Sequence, residues 1–242
     1  MTTANAAVHL STSTRQVERL ARSGELTVTR TVGGALLLDG ASVHQWAQMS
    51  RNPGRPWSAA TAWAALALLS GERVDWLSAA AMSRLRHRLR AGDAAALAWM
   101  VRRRAVVHRM QGWGDDTGLL GTGLSALRDP SMCELFDLTA VGGGTDGYVR
   151  ARDFPAVTSA LGLVESLSGD VQVRVVADDA GYAVDRTLTA AVAVDLMSAS
   201  LGTRESAAGR RVLQELLDRF RAGDRPTRRV TVRYADRDAV DG

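Results

Sequence analysis

The feature that most constrains this chain is the ordered set of breaks in residues 1–52. Ser11-Thr12-Ser13, Gly24, Gly33-Gly34 and the run Asn52-Pro53-Gly54-Arg55-Pro56 are all places where a helix or strand stops. Ahead of the first break, residues 2–10 put Ala6, Ala7 and Leu10 at helical spacing. After it, residues 14–23 put Val17, Leu20 and Ala21 on one helical face. Ser13 or Thr12 can cap this second helix by accepting a backbone N–H bond. Gly24 stands just beyond its end, where a left-handed residue is favoured. Residues 26–30 and 35–39 are β-rich and flank Gly33-Gly34, which reads as a hairpin. Residues 41–49 return to helix, with Val43, Trp46 and Ala47 apolar. The predicted order is helix, turn, helix, hairpin, helix. A domain boundary is expected at residues 52–56, dividing the chain into 1–52 and 57–242.

Charge divides the chain in a similar way. Every basic residue is an arginine; the 242 residues contain no lysine. With the abundance of Ala and Gly, this points to a GC-rich genome and not to a mechanism. The distribution says more than the total. Residues 1–113 carry 15 Arg against 6 acidic residues, and residues 114–242 carry 15 against 20. The first part suits a polyanion and the second does not.

Beyond the boundary, residues 57–70 read as an alanine-rich buried helix and residues 74–90 as a second, with Met82, Leu85 and Leu89 as its apolar stripe. Asp93 starts a third, expected to run to about Met110 and to carry Arg102-Arg103-Arg104 on its surface. From Gly112 the texture changes to glycine-rich loops between short elements. Strands are expected at 147–150, at 171–175, where Val171, Val173 and Val175 alternate with Gln172 and Arg174, and at 229–234. Helices are expected at 153–161 and 203–221, while 188–197 fits either period. The fold class expected is α+β, mainly α.

The N-terminal pattern has a chemical reading. In a helix-turn-helix, the second helix lies in the major groove with its first residues on base edges. Arg matches the two acceptors of guanine, and Gln matches the acceptor and donor of adenine. Arg15, Gln16 and Arg19 are therefore the expected base readers, with Ser13, Thr14 and Arg30 as backbone contacts. Arg102, Arg103 and Arg104 are possible additions to the DNA footprint. The hairpin would serve as a wing.

Catalytic chemistry finds little support. His9, His44, His87 and His108 show no metal-ligand spacing, and the single Cys133 has no basic neighbour. One cysteine cannot form an intramolecular disulfide, which fits a reducing cytoplasm. Asp115-Asp116 and Asp178-Asp179 read as turn residues. The glycine sets at 118–123 and 142–144 lack the Lys-Ser/Thr of a phosphate loop. No run approaches the roughly 20 apolar residues of a membrane span, and residues 1–4 do not open a signal peptide. The expectation is a protein without enzymatic activity, metal or cofactor.

Two resemblances sharpen this. The string from Leu10 to Leu26, with its Ser/Thr turn, Val17-Glu18-Arg19-Leu20 and Gly24, resembles excisionase-type winged helix modules over about residues 4–50. Much of residues 74–217 resembles AbiEi-like antitoxins of type IV toxin–antitoxin systems. The strings that carry the likeness are Val74-Asp75-Trp76-Leu77-Ser78, Arg102-Arg103-Arg104-Ala105-Val106-Val107-His108-Arg109, Asp146-Gly147-Tyr148-Val149-Arg150 and Gly169-Asp170-Val171-Gln172-Val173-Arg174. This resemblance implies a winged helix-turn-helix repressor of its own operon joined to a mixed α/β antitoxin-type domain. It also implies a nucleotidyltransferase-like toxin as the protein counteracted. The alternative expectation is an interaction module that neutralises a partner without touching DNA. The oligomeric state is left open.

Overall fold

A computed structural model describes residues 1–49, 54–112, 117–139, 144–197 and 203–223. The fold is α+β, with helices the larger share. Five elements come first: α1 (Thr3–His9), α2 (Thr14–Arg22), β1 (Val28–Val32), β2 (Ala35–Leu38) and α3 (Gly40–Met49). The breaks explain the ends. Ser13 Oγ accepts the Gln16 amide at 3.2 Å, and Gly24 takes φ +72° just past α2. The hairpin closes with Val32 opposite Ala35, as expected for the Gly-Gly turn. Ala6, Val17, Leu20, Leu26, Leu38 and Val43 are buried in one cluster that these elements share. The expected boundary at Asn52-Pro53 lies outside the described residues.

The next three helices are α4 (Ala59–Leu69), α5 (Ala79–Ala91) and α6 (Ala94–Val101). Ser58, Ser78 and Asp93 cap them through side-chain oxygens. Helix α4 is buried from Ala62 to Ala67 and forms the centre of the largest core.

The remaining elements are β3 (Val106–Gln111), β4 (Leu120–Gly121), α7 (Gly123–Ala126), α8 (Pro130–Phe136), β5 (Thr145–Arg150), α9 (Phe154–Ala160), β6 (Val164–Glu165), β7 (Val171–Val176), α10 (Thr189–Leu196) and α11 (Thr203–Ala222). The strands form a mixed sheet in the order β4-β5-β7-β3-β6. Only β5 and β7 are parallel. Here the sequence expectation is corrected: the helix foreseen up to Met110 ends at Val101, and 106–111 is a strand. Strand β7 supplies the reason, since Val106–Met110 pair with Val175–Val171. The segment 188–197 resolves as helix α10. The strand expected at 229–234 lies outside the described residues.

The sheet has two unlike faces, as a side-chain period of two requires. Met110, Val149, Val171 and Val173 lie on one, under Phe154 and Val157 of α9. The other carries Arg109, Asp146, Tyr148 and Arg174 and turns towards the helical core. Helices α10 and α11 approach closely at Gly209, where a Cβ would come 2.5 Å from the Ala193 carbonyl oxygen.

Candidate nucleic-acid interface

Helix α2 is sharply two-sided. Val17, Leu20 and Ala21 are at most 3% exposed and hold it in the N-terminal core. Ser13, Thr14, Arg15, Arg19 and Arg22 are exposed, and Gln16 is half-buried. Among the described residues Arg15 and Arg19 make no ion pair, whereas Arg22 lies 3.6 Å from Glu18. Ser13 Oγ accepts the cap bond and keeps its hydroxyl proton free to donate. Arg30 is exposed on β1, three residues before the Gly33-Gly34 turn. Five of the six N-terminal site residues are therefore open to solvent.

The three consecutive arginines after α6 part company. Arg103 is exposed. Arg102 is half-buried, with its guanidinium carbon 3.3 Å from the centre of the Trp99 ring and its Nη1 donating to the Trp99 carbonyl at 2.9 Å. Burial pushes its pKa down to about 10, against the pull of Glu25, whose carboxylate lies 3.8 Å from Arg102 Nε. Arg104 turns inward and is only 5% exposed. Its place among possible DNA contacts is withdrawn, because its guanidinium is enclosed by the protein.

Arg104 belongs to a buried ionic cluster that the sequence did not announce. Asp195, on α10 and fully buried, accepts from Arg104 Nη2, from Thr122 Oγ1 at 2.7 Å and from Tyr148 Oη at 2.7 Å. Arg174 Nη1 stands 3.0 Å from the same carboxylate. Arg174 also grips Asp146 with two bonds, of 2.6 and 2.7 Å. Two guanidiniums and two carboxylates thus neutralise one another. Burial alone would lower the pKa of Arg104, but Asp195 and then Tyr148 outweigh it and the net shift is upward. Arg174 is likewise raised, because Asp146 and Asp195 outweigh its burial. Burial is the main reason Asp146 is raised, with Arg174 opposing. Tyr148 is also raised, chiefly by burial, and so remains a hydroxyl.

A cleft of about 820 Å³ joins these regions. Arg19 and Arg22 of α2, Arg102 and Arg103, and Arg109 of β3 line it. Gly24 allows the approach: its hypothetical Cβ would meet Val107 of β3 at 3.0 Å, and its φ lies in the left-handed region that other residues avoid. Trp46 Nε1 donates to Glu25 at 3.3 Å, and its ring meets Trp99 edge-on at 6.2 Å.

The residues set aside as non-catalytic have ordinary roles where they are described. Cys133 Sγ donates to the Leu127 carbonyl at 2.8 Å. His108 is on β3, 2.9 Å from Glu165 and against the ring of Phe154. His9 and His44, distant in sequence, bring their rings within 4.2 Å. Asp178 and Asp179 are exposed in a turn. Asp115, Asp116, Gly142 and Gly143 lie outside the described residues. Among the described residues, no cluster of His, Cys, Asp or Glu could hold a metal, and no helix is long and apolar enough to cross a membrane.

Comparison with family models, curated proteins and solved structures returns no match to this chain.

Proposed function

We propose that this protein is a sequence-specific DNA-binding transcriptional repressor of the cytoplasm. In this reading, residues 1–52 form a winged helix-turn-helix, with α2 in the major groove and the β1–β2 hairpin as its wing. The observation that supports it most is the division of α2. Its apolar side is fully used in the N-terminal core, while Arg15 and Arg19 are exposed and make no ion pair among the described residues. Arg15, Gln16 and Arg19 read bases. Ser13, Thr14 and Arg30 hold the backbone, and Arg103 adds a phosphate contact.

Residues 57–242 then act as the antitoxin-type domain of a toxin–antitoxin operon and counteract a nucleotidyltransferase-like toxin. The likeness across residues 74–217 is what supports this half of the reading.

The test is a mobility-shift titration against the protein's own promoter region at several salt concentrations. The logarithm of affinity is expected to fall with the logarithm of salt, by about 0.9 for each phosphate neutralised. A flat salt dependence would favour the interaction module that acts without DNA. Co-expression with a growth-arresting nucleotidyltransferase-like toxin tests the other half: growth is restored by the whole chain if the reading holds.

A further inference from the structure

The cleft between α2 and the polar face of the sheet holds more positive charge than the protein neutralises. Seven arginines and three carboxylates line it. Arg104 and Arg174 are satisfied by Asp195 and Asp146, so they add no free charge. Besides its contacts with Trp99, Arg102 has Glu25 as its one ion pair among the described residues, and its buried Nε makes no hydrogen bond. Arg109 is the least satisfied. Among the described residues it forms no ion pair, and its Nε is buried without an acceptor. Burial, and then the neighbouring Arg174, push its pKa down, while Asp146, already gripped by Arg174, pulls only weakly the other way. A buried guanidinium N–H without an acceptor is costly, and a charged oxygen acceptor relieves that cost.

We propose that this cleft binds the phosphate group of a small molecule, with the half-buried Arg109 and Arg102 as its inner contacts and Arg22 and Arg103 as its exposed ones. Phosphate fits because it offers several charged oxygens to converging guanidiniums. The cleft, at about 820 Å³, has the size of a small-molecule site and far exceeds a bare phosphate. Trp46 adds an apolar wall for the rest of the ligand. The proposal does not depend on DNA binding.

Isothermal titration of the full chain tests it, using inorganic phosphate in one arm and a nucleoside monophosphate in the other. Each is compared with sodium chloride at equal ionic strength. Saturable binding is expected in at least one arm, and the tighter arm identifies free phosphate or a phosphate ester as the source. Arg109→Gln is expected to weaken it at least tenfold. Arg152→Gln, the same charge change outside the cleft, is expected to leave it unchanged. Should Arg109→Gln fail to fold, Arg103→Gln at the exposed rim is expected to weaken binding severalfold. Heat no different from chloride in both arms overturns the proposal. So does equal loss in Arg152→Gln, or unchanged affinity in a folded Arg109→Gln or Arg103→Gln protein. No DNA enters the assay, so failure here and failure of the repressor reading are told apart.

Discussion

Arg15 and Arg19 on α2 are exposed and make no ion pair among the described residues, while Arg104 and Arg174 sit in the interior with side chains 5% and 7% exposed. All four belong to a chain whose only basic residue is arginine. What separates them is the supply of carboxylates. Helix α2 packs through alanine and aliphatic side chains and leaves Arg15 and Arg19 exposed. The sheet brings Asp146 and Asp195 to Arg174 and Arg104, and a planar fork that meets carboxylates two bonds at a time can be buried. The same side chain is thus left open to solvent in one region and is a structural cross-link in the other.

Removing Asp195 should break this contrast most severely. Asp195→Ala leaves Arg104, Arg174, Thr122 and Tyr148 without their common acceptor. Breaking one partner of a buried ion pair costs about 3–5 kcal/mol. Urea denaturation should show a loss of that size with DNA affinity of the remaining folded protein unchanged. Next in size, Arg15→Ala should weaken operator binding by about 1–3 kcal/mol. Its urea midpoint should hardly move, because the side chain touches no charged partner. A stability loss from Arg15→Ala to match that from Asp195→Ala would erase the distinction.

The two regions were not equally legible in the sequence. The N-terminal elements are closed by local signals: Ser13 caps, Gly24 stops, and Gly33-Gly34 turns, each within a few residues of what it controls. The α+β class was legible too, and so was β7 from its alternating valines. Strand β3 was not. Val106, Val107 and Met110 fit a helical stripe as well as a strand, and the deciding partner, β7, lies some sixty residues on. Arg104 looked like one of three solvated arginines because its acid, Asp195, is 91 residues away. Asp195 itself sits in an otherwise apolar stretch, and a lone acid among Ala and Val residues was the available signal for a buried pair. Helix α8 also carried an overlooked signal, with Asp129 as cap and Pro130 at its first position.

Arg102 lies between the two extremes and sharpens the comparison. It stacks on Trp99 and is half-enclosed, and even with its pKa lowered to about 10 it stays charged at neutral pH. Arg102→Gln removes the stacked cation and should cost about 1 kcal/mol, read from the urea midpoint. A quenching change in tryptophan fluorescence should accompany it, since Trp99 loses its cover. A loss as large as that of Asp195→Ala would show that Glu25 and Arg102 form a true buried pair.

The smallest effect belongs to a pair on the surface. Asp185 accepts from Arg186 at 2.8 and 3.2 Å, and Arg186 also reaches Glu72 at 3.2 Å, with the two pair members 46% and 44% exposed. The hydrogen bond from Arg186 holds the Asp185 pKa below its ordinary value. A carboxyl depressed in the folded state binds fewer protons there than in the unfolded chain. Its stabilisation is therefore complete above the unfolded value of about 3.9 and is lost as pH falls through the lower folded value. Water screens this pair, so Asp185→Asn should cost only about 0–1 kcal/mol at neutral pH. The difference from wild type should shrink as the pH drops below about 4. Asp195 also meets arginine, but it is enclosed and accepts further bonds from Thr122 and Tyr148. If both substitutions proved equally costly in denaturation curves at pH 7, burial would not be what divides the arginines of this protein into two kinds.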